Sequence, residues 1–212
     1  STHCISSAAS DVYKRQVIGQ VTKGGVESYS VSLFSAHNGT LPALAFEGAT
    51  RRNRPNLAVG DLVYARVAAV ESWMEPELSC VDATTGRAEG LGELKADAEH
   101  GYAMLWPVSL ALARSMHRPK HQLLPRIAAH FPFEAAVGLN GLVWTRTGTA
   151  QQGVALGQLL AAADRAAVQR DEAEMALDEA DADADARSLN TRLDHRGELP
   201  QEAIARIVRQ FT

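Results

Sequence analysis

The sequence is poor in the residues from which disulfide frameworks, metal sites and membrane spans are built. It has two cysteines, Cys4 and Cys80, which lie far apart and form no metal-ligand spacing. We therefore predict no disulfide and no metal, and we expect a reducing compartment. The seven histidines are scattered, and no cofactor is expected. No run of 18 apolar residues occurs, so we expect no membrane contact.

The chain also lacks an overall excess of positive charge. Its formal net charge is −4, and residues 17–165 carry 13 basic and 13 acidic side chains. Residues 166–212 are acidic, with 6 basic and 11 acidic side chains. This balance excludes a uniformly basic nucleic-acid binder, so any contact with RNA must come from a local patch.

The first half of the chain predicts a small barrel. Residues 1–16 are small and polar without periodicity, and we predict a disordered or non-native leader there. Residues 17–85 contain five short strand-like runs, namely VIGQV, YSVSLF, TLPALAF, DLVYARVAAV and ELSCVDA. Asn38-Gly39 is a strong hairpin signal and is predicted to form a turn. Five strands joined in this way favour an S1-type oligonucleotide/oligosaccharide-binding (OB) barrel.

The second half predicts a different unit. Residues 86–101 are glycine-rich and are predicted to be a linker. Residues 102–166 run in the order strand, helix, helix, strand, strand, helix, which is typical of a KH-like α/β domain. Residues 167–199 form an acidic low-complexity segment, helical or disordered, and residues 200–212 have the periodicity of a short amphipathic helix. The predicted fold class is α+β, with a barrel, a KH-like domain and a C-terminal helical extension.

The loop before the fourth predicted strand concentrates positive charge. Arg51, Arg52 and Arg54 stand within four positions, and Pro55 stiffens the backbone beside them. Guanidinium groups donate planar, bidentate hydrogen bonds to phosphate. The loop is therefore a candidate RNA contact. A contact with a neighbouring protein subunit and a merely solvated loop remain alternatives.

The predicted barrel face offers further candidates. Barrels of this type bind single strands by stacking bases on aromatic side chains. Tyr29 and Phe34 differ by five positions and point to opposite faces of a regular strand, so only one of them can face RNA. We take Tyr29 as that residue, and Phe34 and Phe46 as more typical of a core. Lys23 and Arg66 are predicted to contact the RNA backbone.

Two further features point to interfaces. Gly138, Leu139, Asn140 and Gly141 form a GxxG motif, the type of loop that clamps RNA in KH domains. Its flanks are strand-like, so we favour a tight turn at the interface between the two domains over an RNA clamp. Trp73 and Met74 lie in a predicted loop and are candidates for a protein interface.

Four motifs together carry a family resemblance. The succession LAFEGATRRNRPNLAVGDLVYARV, MEPELSCVD, GRAEGLGEL and FPFEAAVGLNGLVW resembles the cap subunits of the eukaryotic RNA exosome. The resemblance covers roughly residues 17–165, with the terminal helix as a looser extension. The acidic segment departs from the family pattern, and residues 1–16 stand where the family has a small N-terminal domain.

The resemblance implies a non-catalytic subunit with S1 and KH domains. Such caps bind RNase-PH-like ring subunits and other caps, stabilise the ring, and guide single-stranded RNA into the central pore. It also implies a location in the nucleus, nucleolus and cytoplasm. A protein-only scaffold clamp without RNA contact is the alternative. A nuclease is a third hypothesis, but its dense carboxylates would have to be those of residues 171–185, where we expect no rigid site.

Overall fold

The structure is a computed structural model that describes residues 16–70, 74–95, 101–178 and 196–211, with side chains up to Val168 in the third range. Cys4, Trp73 and nearly all of the predicted leader lie outside the described residues. The same holds for residues 179–195, the central part of the predicted acidic segment. Their predicted roles therefore stay predictions.

Five strands in the first half of the chain close into a barrel. They are β1 (Gln16–Gly24), β2 (Ser28–Ser32), β3 (Asn38–Pro42), β4 (Leu62–Ala69) and β5 (Glu77–Ser79). The hydrogen-bonded order is β1-β2-β3-β5-β4, and β4 pairs back with β1. The predicted five-stranded barrel is therefore confirmed, and closure leaves few strand edges open to solvent.

The seams of this barrel differ in length. The antiparallel β1–β4 seam runs from Gln16 to Gln20 in unbroken register. The β3–β5 seam is parallel and has one residue pair, Thr40 with Glu77. A hydrogen bond from the Thr40 amide to the Pro76 carbonyl, at 2.9 Å, reinforces it. The barrel is thus strongly closed on one side and lightly closed on the other.

The alternation of side chains explains why these segments are strands. In β2 and β3 every second position is buried, and these positions carry Tyr29, Val31 and Leu41. Apolar residues at every second position place one face of each strand in a common core. Part of the predicted linker, residues 86–101, joins this sheet as well. Gly92–Leu94 forms a sixth strand, β6, that pairs with β4, because Leu91 and Leu94 bury their side chains in the barrel core.

The prediction for Asn38-Gly39 was wrong. Both residues belong to β3, where Asn38 pairs with Ser32 and Gly39 with Val31. The turn lies before them. A side chain at position 39 would stand 2.9 Å from Leu78 Cδ1, so this glycine provides space for the core rather than the backbone freedom of a turn.

The second half folds in the predicted order. Its elements are β7 (Tyr102–Pro107), α1 (Leu110–Met116), α2 (Leu123–Ala128), β8 (Phe133–Gly138), β9 (Leu142–Thr147) and α3 (Ala150–Asp178). The three strands form an antiparallel sheet in the order β7-β9-β8. The succession of strand, two helices, two strands and helix confirms the KH-like domain.

This three-stranded sheet is buried on both faces. On one face, Ala135, Val137 and Val143 pack in the core that α1, α2 and α3 share. On the other face, Ala136 and Trp144 pack in the core of the barrel. Because successive residues of a strand point to opposite faces, β8 and β9 serve both cores at once. The two domains are therefore in direct contact through this sheet.

Helix α3 is the longest element of the chain. It buries a stripe of small and branched side chains against the sheet: Ala155, Leu156, Leu159, Leu160, Ala163 and Ala167. The helical backbone continues to Asp178, so the first part of the predicted acidic segment is helical. Within the described ranges, no helix is long and apolar enough to cross a membrane.

The C-terminal helix, α4 (Gln201–Phe211), docks on the KH-like domain. Ile204 and Val208 are buried in the core of that domain. The residues before the helix are also held, because Glu198 accepts a hydrogen bond from the Gln122 amide at 3.0 Å and lies 3.4 Å from the Arg126 guanidinium. The predicted amphipathic helix is confirmed as part of this domain's core.

Two glycines of α3 create the space in which β7 packs. A Cβ atom at Gly157 would stand 2.3 Å from the Trp106 ring, and one at Gly153 would stand 3.1 Å from the Met104 side chain. The two glycines are four positions apart and share a helix face. The close approach of α3 to the sheet therefore depends on positions without side chains.

We predict that Gly157→Ala destabilises the protein, although alanine is the better helix former. The added methyl group would push against a rigid, partly buried indole and lower the free energy of unfolding by about 1–3 kcal/mol. Urea denaturation followed by circular dichroism measures the change. Gln158→Ala, at an exposed position of the same helix, is the control. Equal or greater stability of Gly157→Ala would contradict the packing described here.

Candidate nucleic-acid interface

The arginine loop forms a closed turn with two arginines at its apex. The Thr50 amide donates to the Asn53 carbonyl at 2.9 Å, and the Asn53 amide donates to Thr50 Oγ1 at 3.0 Å. Arg51 and Arg52 occupy the two positions between them and are exposed. The turn therefore presents two adjacent guanidinium groups to solvent. We call residues 50–53 the arginine turn.

Two hydrogen bonds fix the residues that follow the arginine turn to the rest of the barrel. Arg54 Nη1 donates to the Val26 carbonyl in the connection between β1 and β2. The Tyr29 hydroxyl donates to the Pro55 carbonyl. Arg54 is thus an anchor of the loop, and the free charge of the motif is concentrated on Arg51 and Arg52.

The structure corrects the predicted role of Tyr29. Its side chain is only 6% exposed and belongs to the barrel core. A ring enclosed in this way has no open face on which a base could stack. Phe34, which the sequence placed on the opposite face of the same strand, is 51% exposed. The reason is that β2 ends at Ser32, so Phe34 lies in the following loop, with a φ of 55°. Phe46, also expected in the core, is partly buried against it.

The two predicted backbone contacts differ from each other. Lys23 is exposed, at an irregularity in the pairing of β1 with β2. Arg66 is half-buried in β4, and its Nε donates to the Val81 carbonyl at 2.5 Å. Lys23 is therefore available to a phosphate, whereas Arg66 is used to fix the segment after β5.

The Gly-Leu-Asn-Gly turn joins the KH-like sheet to the barrel. Asn140 Nδ2 donates to the carbonyls of Ile18 and Leu33, at 2.8 and 3.1 Å, and Oδ1 accepts from the Ile18 amide at 3.2 Å. The Leu139 amide donates to the Gln16 carbonyl at 2.8 Å. One amide side chain thus pairs with two separate segments of the barrel. A turn in this position cannot act as a clamp for RNA.

Glycine is required at both ends of this turn. A Cβ atom at Gly138 would stand 2.4 Å from Asn140 Oδ1 and 2.9 Å from the Ile18 nitrogen. Gly141 has a φ of 80°, and a Cβ there would stand 2.8 Å from the Val108 carbonyl oxygen. Positive φ strongly favours glycine. The two glycines of the GxNG motif thus allow the two domains to approach closely, and the asparagine forms hydrogen bonds between them.

Sequence reasoning missed a second polar contact at this interface. The Tyr64 hydroxyl lies 2.5 Å from Gln16 Oε1 and 3.0 Å from the Val137 carbonyl. The whole residue is buried, so these contacts lie inside the interface. A tyrosine in an apolar strand gives only a weak signal for such a role. The same is true of the arginine turn, whose only local signal is Thr50 three positions before Asn53.

The predicted protein-interface residues are only partly described. Met74 is 65% exposed and lines a groove with Thr40, Pro42, Ala69, Glu75 and Glu77. Its neighbour Trp73 lies outside the described residues. Exposure of a methionine beside an open groove is compatible with the predicted role and leaves it a prediction.

Metal-binding clusters and reactive thiols are two features that would support a catalytic role. Among the residues that the structure describes, no group of three or more His, Cys, Asp or Glu side chains is arranged to hold a metal ion. Burial raises the pKa of the Cys80 thiol to about 12, and its Sγ donates to the Tyr64 carbonyl at 3.7 Å. This thiol stays protonated at neutral pH and is a poor nucleophile.

His117 connects α1 to the sheet edge. Its Nε2 lies 2.7 Å from the Val137 carbonyl and donates to it. Burial lowers the pKa of His117 below its ordinary value of 6.5, and the hydrogen bond to Val137 offsets part of this effect. The neutral ring is therefore the folded form at neutral pH.

Comparisons with known protein families agree with this geometry. Residues 11–92 match the model described as exosome complex component RRP40, S1 domain, and residues 104–151 match a KH domain model. The first match covers the five barrel strands and ends at the first residue of β6, and the second runs from within β7 to the start of α3.

The chain is also similar to proteins named exosome complex component RRP40. It is 52% identical over 132 residues to the protein of Schizosaccharomyces pombe, covering 62% of this chain and 53% of that protein. It is 43% identical over 132 residues to the Saccharomyces cerevisiae protein (61% and 52% covered) and 36% identical over 148 residues to the human one (70% and 52% covered). The chain spans about half the length of these relatives.

A solved structure shows the same fold. A protein described as an exosome complex RNA-binding protein superimposes with a TM-score of 0.54 at 18% sequence identity. The alignment covers 96% of this chain and 99% of that one. At this sequence identity the superposition supports a shared fold of both domains and carries no information about function.

We predict that Asn140→Ala weakens the junction between the two domains. It removes three hydrogen bonds and leaves the Ile18 amide and two carbonyls without this partner, which lowers the free energy of unfolding by about 2–4 kcal/mol. Urea denaturation measures the loss. Asn56→Ala, which changes an exposed asparagine of the barrel, should have little effect. An unchanged midpoint for Asn140→Ala would show that the turn does not hold the domains together.

A second prediction concerns pH. Since the pKa of His117 is lower in the folded than in the unfolded chain, its contribution to stability is present above pH 6.5 and is lost as the pH falls below that value. The stability of the wild type should therefore decrease more between pH 7.5 and 5.5 than that of His117→Gln, which can still donate to Val137. His130→Gln, at an exposed position, is the control. Parallel pH profiles of the wild type and His117→Gln would contradict this.

Proposed function

The chain is a homologue of exosome complex component RRP40 with an S1 and a KH domain, and from this premise we propose that it is a non-catalytic, RNA-binding cap subunit of an RNA exosome. In this role it binds ring subunits and other caps, and it guides single-stranded RNA toward the pore. The observation that supports RNA binding is the arginine turn, which exposes Arg51 and Arg52 on a loop fixed by hydrogen bonds to the barrel.

Phosphate contact by these two arginines suits a protein that handles many sequences. Phosphate contacts position a nucleic acid without reading its bases. Because residues 17–165 carry equal numbers of basic and acidic side chains, attraction to RNA is confined to local groups such as the arginine turn and Lys23. A local contact holds a strand weakly enough for it to move on. This is the behaviour required of a guide.

The junction at Asn140 supports the structural part of the proposal. It fixes the barrel on the KH-like sheet, so a partner that binds one domain also fixes the direction of the other. A rigid two-domain body is suited to spanning neighbouring subunits. It also keeps the arginine turn at a constant place relative to the KH-like domain.

A second candidate is a scaffold that contacts only proteins. It is favoured by the burial of Tyr29 and by the engagement of Arg54 and Arg66 in internal hydrogen bonds. These three residues are half of the six that the sequence predicted as RNA contacts. In this case, Arg51 and Arg52 pair with carboxylates of a neighbouring subunit instead of phosphates.

We predict that the double variant Arg51→Ala, Arg52→Ala binds RNA more weakly than the wild type within a reconstituted exosome. Loss of two phosphate contacts should reduce the slope of log K against log salt by about 1.4 for a single strand. Filter binding or anisotropy at several salt concentrations measures this slope. The double variant Arg206→Ala, Arg209→Ala removes the same charge from exposed positions of α4 and serves as the control.

The outcomes separate the two candidates. If the arginine-turn variant fails to join the complex while each assembled complex captures RNA normally, the turn is a protein contact and the scaffold function is favoured. If both assembly and the salt slope are unchanged, the turn has neither role. Nuclease activity in the pure chain would exclude both candidate functions.

A further inference from the structure

A cavity of about 310 Å³ opens in the barrel next to the arginine turn. Its walls are largely apolar, with Phe46, Pro55, Cys80, Ala88 and Leu91 among them. Glu47, Asn53 and Arg54 supply polar groups. Apolar walls with a few polar groups are the usual composition of a site for a small organic group, and this volume is at the lower end of the range.

The walls of this cavity are held by the barrel. The Cys80 amide donates to the Ala45 carbonyl at 2.9 Å, and the Leu91 amide donates to the Ala88 carbonyl at 2.8 Å. Glu47 Oε2 accepts from the Ala88 amide at 2.7 Å, which connects the two sides of the opening. The cavity is therefore framed by fixed backbone and does not depend on a single side-chain rotamer.

The cavity and the arginine turn are continuous. Asn53 closes the turn by hydrogen bonds to Thr50 and also lines the cavity. Arg54 and Pro55, which anchor the turn to the barrel, line it too. A phosphate held by Arg51 and Arg52 would thus have an apolar recess directly beside it. Charged donors next to an apolar recess match the two halves of one nucleotide.

We propose that this cavity receives one unstacked base of a single-stranded RNA whose phosphate is bound by the arginine turn. The inference rests on the proposed RNA-binding function and adds a binding site to it. Phe46 provides an aromatic wall, and base–aromatic contact tolerates every base because each has a π face. The fixed Glu47 carboxylate at the opening can accept a hydrogen bond from an N–H group of the base.

This site compensates for the burial of Tyr29. In the barrel as folded, that ring belongs to the core and cannot carry a base. The aromatic surface next to the charged groups is that of Phe46, on the segment after β3. The base is therefore expected beside the loop and not on the strands that such barrels commonly use.

The test compares an ordinary RNA octamer with an abasic octamer of the same length, by fluorescence anisotropy with the full chain. The ordinary octamer should bind about 5- to 100-fold more tightly. Ala88→Leu places a larger side chain in the cavity and should reduce ordinary RNA to the affinity of the abasic strand, while leaving the abasic strand unaffected. Ala83→Leu makes the same change at an exposed position of the same loop and should alter neither affinity.

Each outcome decides the inference. If Ala88→Leu leaves the preference for ordinary RNA unchanged, bases bind elsewhere and the cavity is not their site. If the two octamers bind the wild type equally, only the backbone is bound, and the inference fails while the proposed function stands. If neither octamer binds, both fail. Ala49→Leu fills the cavity from another wall and replaces Ala88→Leu should the latter not fold, as judged by circular dichroism.

Discussion

The bonding of one amide side chain to two segments of the barrel is the constraint on which the arrangement of the molecule depends. Asn140 reaches from the KH-like sheet to the backbone of β1 at Ile18 and to Leu33 after β2. An amide side chain offers two N–H donors and a carbonyl acceptor from one backbone position. The flanking glycines allow the approach, and Trp144 of the same sheet packs in the barrel core. The barrel core and the core of the KH-like domain are thereby held in a fixed arrangement.

The arginine turn shows how charge is divided between support and display. Three arginines stand close together in sequence, yet they differ in environment. Arg54, although exposed, is used to fix the loop to the β1–β2 connection, and Arg51 and Arg52 are the exposed groups at the apex of the turn. Fixing the support of a charged group reduces the conformational entropy lost on binding. A barrel without an excess of positive charge can in this way carry one well-defined positive site.

The sequence predicts elements better than it predicts contacts. Apolar alternation in β2, and the order of strands and helices after Tyr102, follow from local periodicity. Roles that depend on distant partners were not predictable. Tyr29 bonds to Pro55, and Arg66 bonds to Val81, and nothing local to either residue specifies that partner. The turn predicted at Gly39 was wrong for a related reason. The residue is small because Leu78 packs against it across the barrel, and that contact cannot be read from the local sequence.

The single pair between β3 and β5 has a consequence for motion. Since Thr40 and Glu77 alone join these strands in parallel register, separating them breaks few backbone hydrogen bonds. We therefore expect the amides at this seam to exchange with solvent protons faster than those of β1 and β4. Opening of this seam leaves the hydrogen bonds from Asn140 to Ile18 and Leu33 in place, because neither residue lies on β3 or β5.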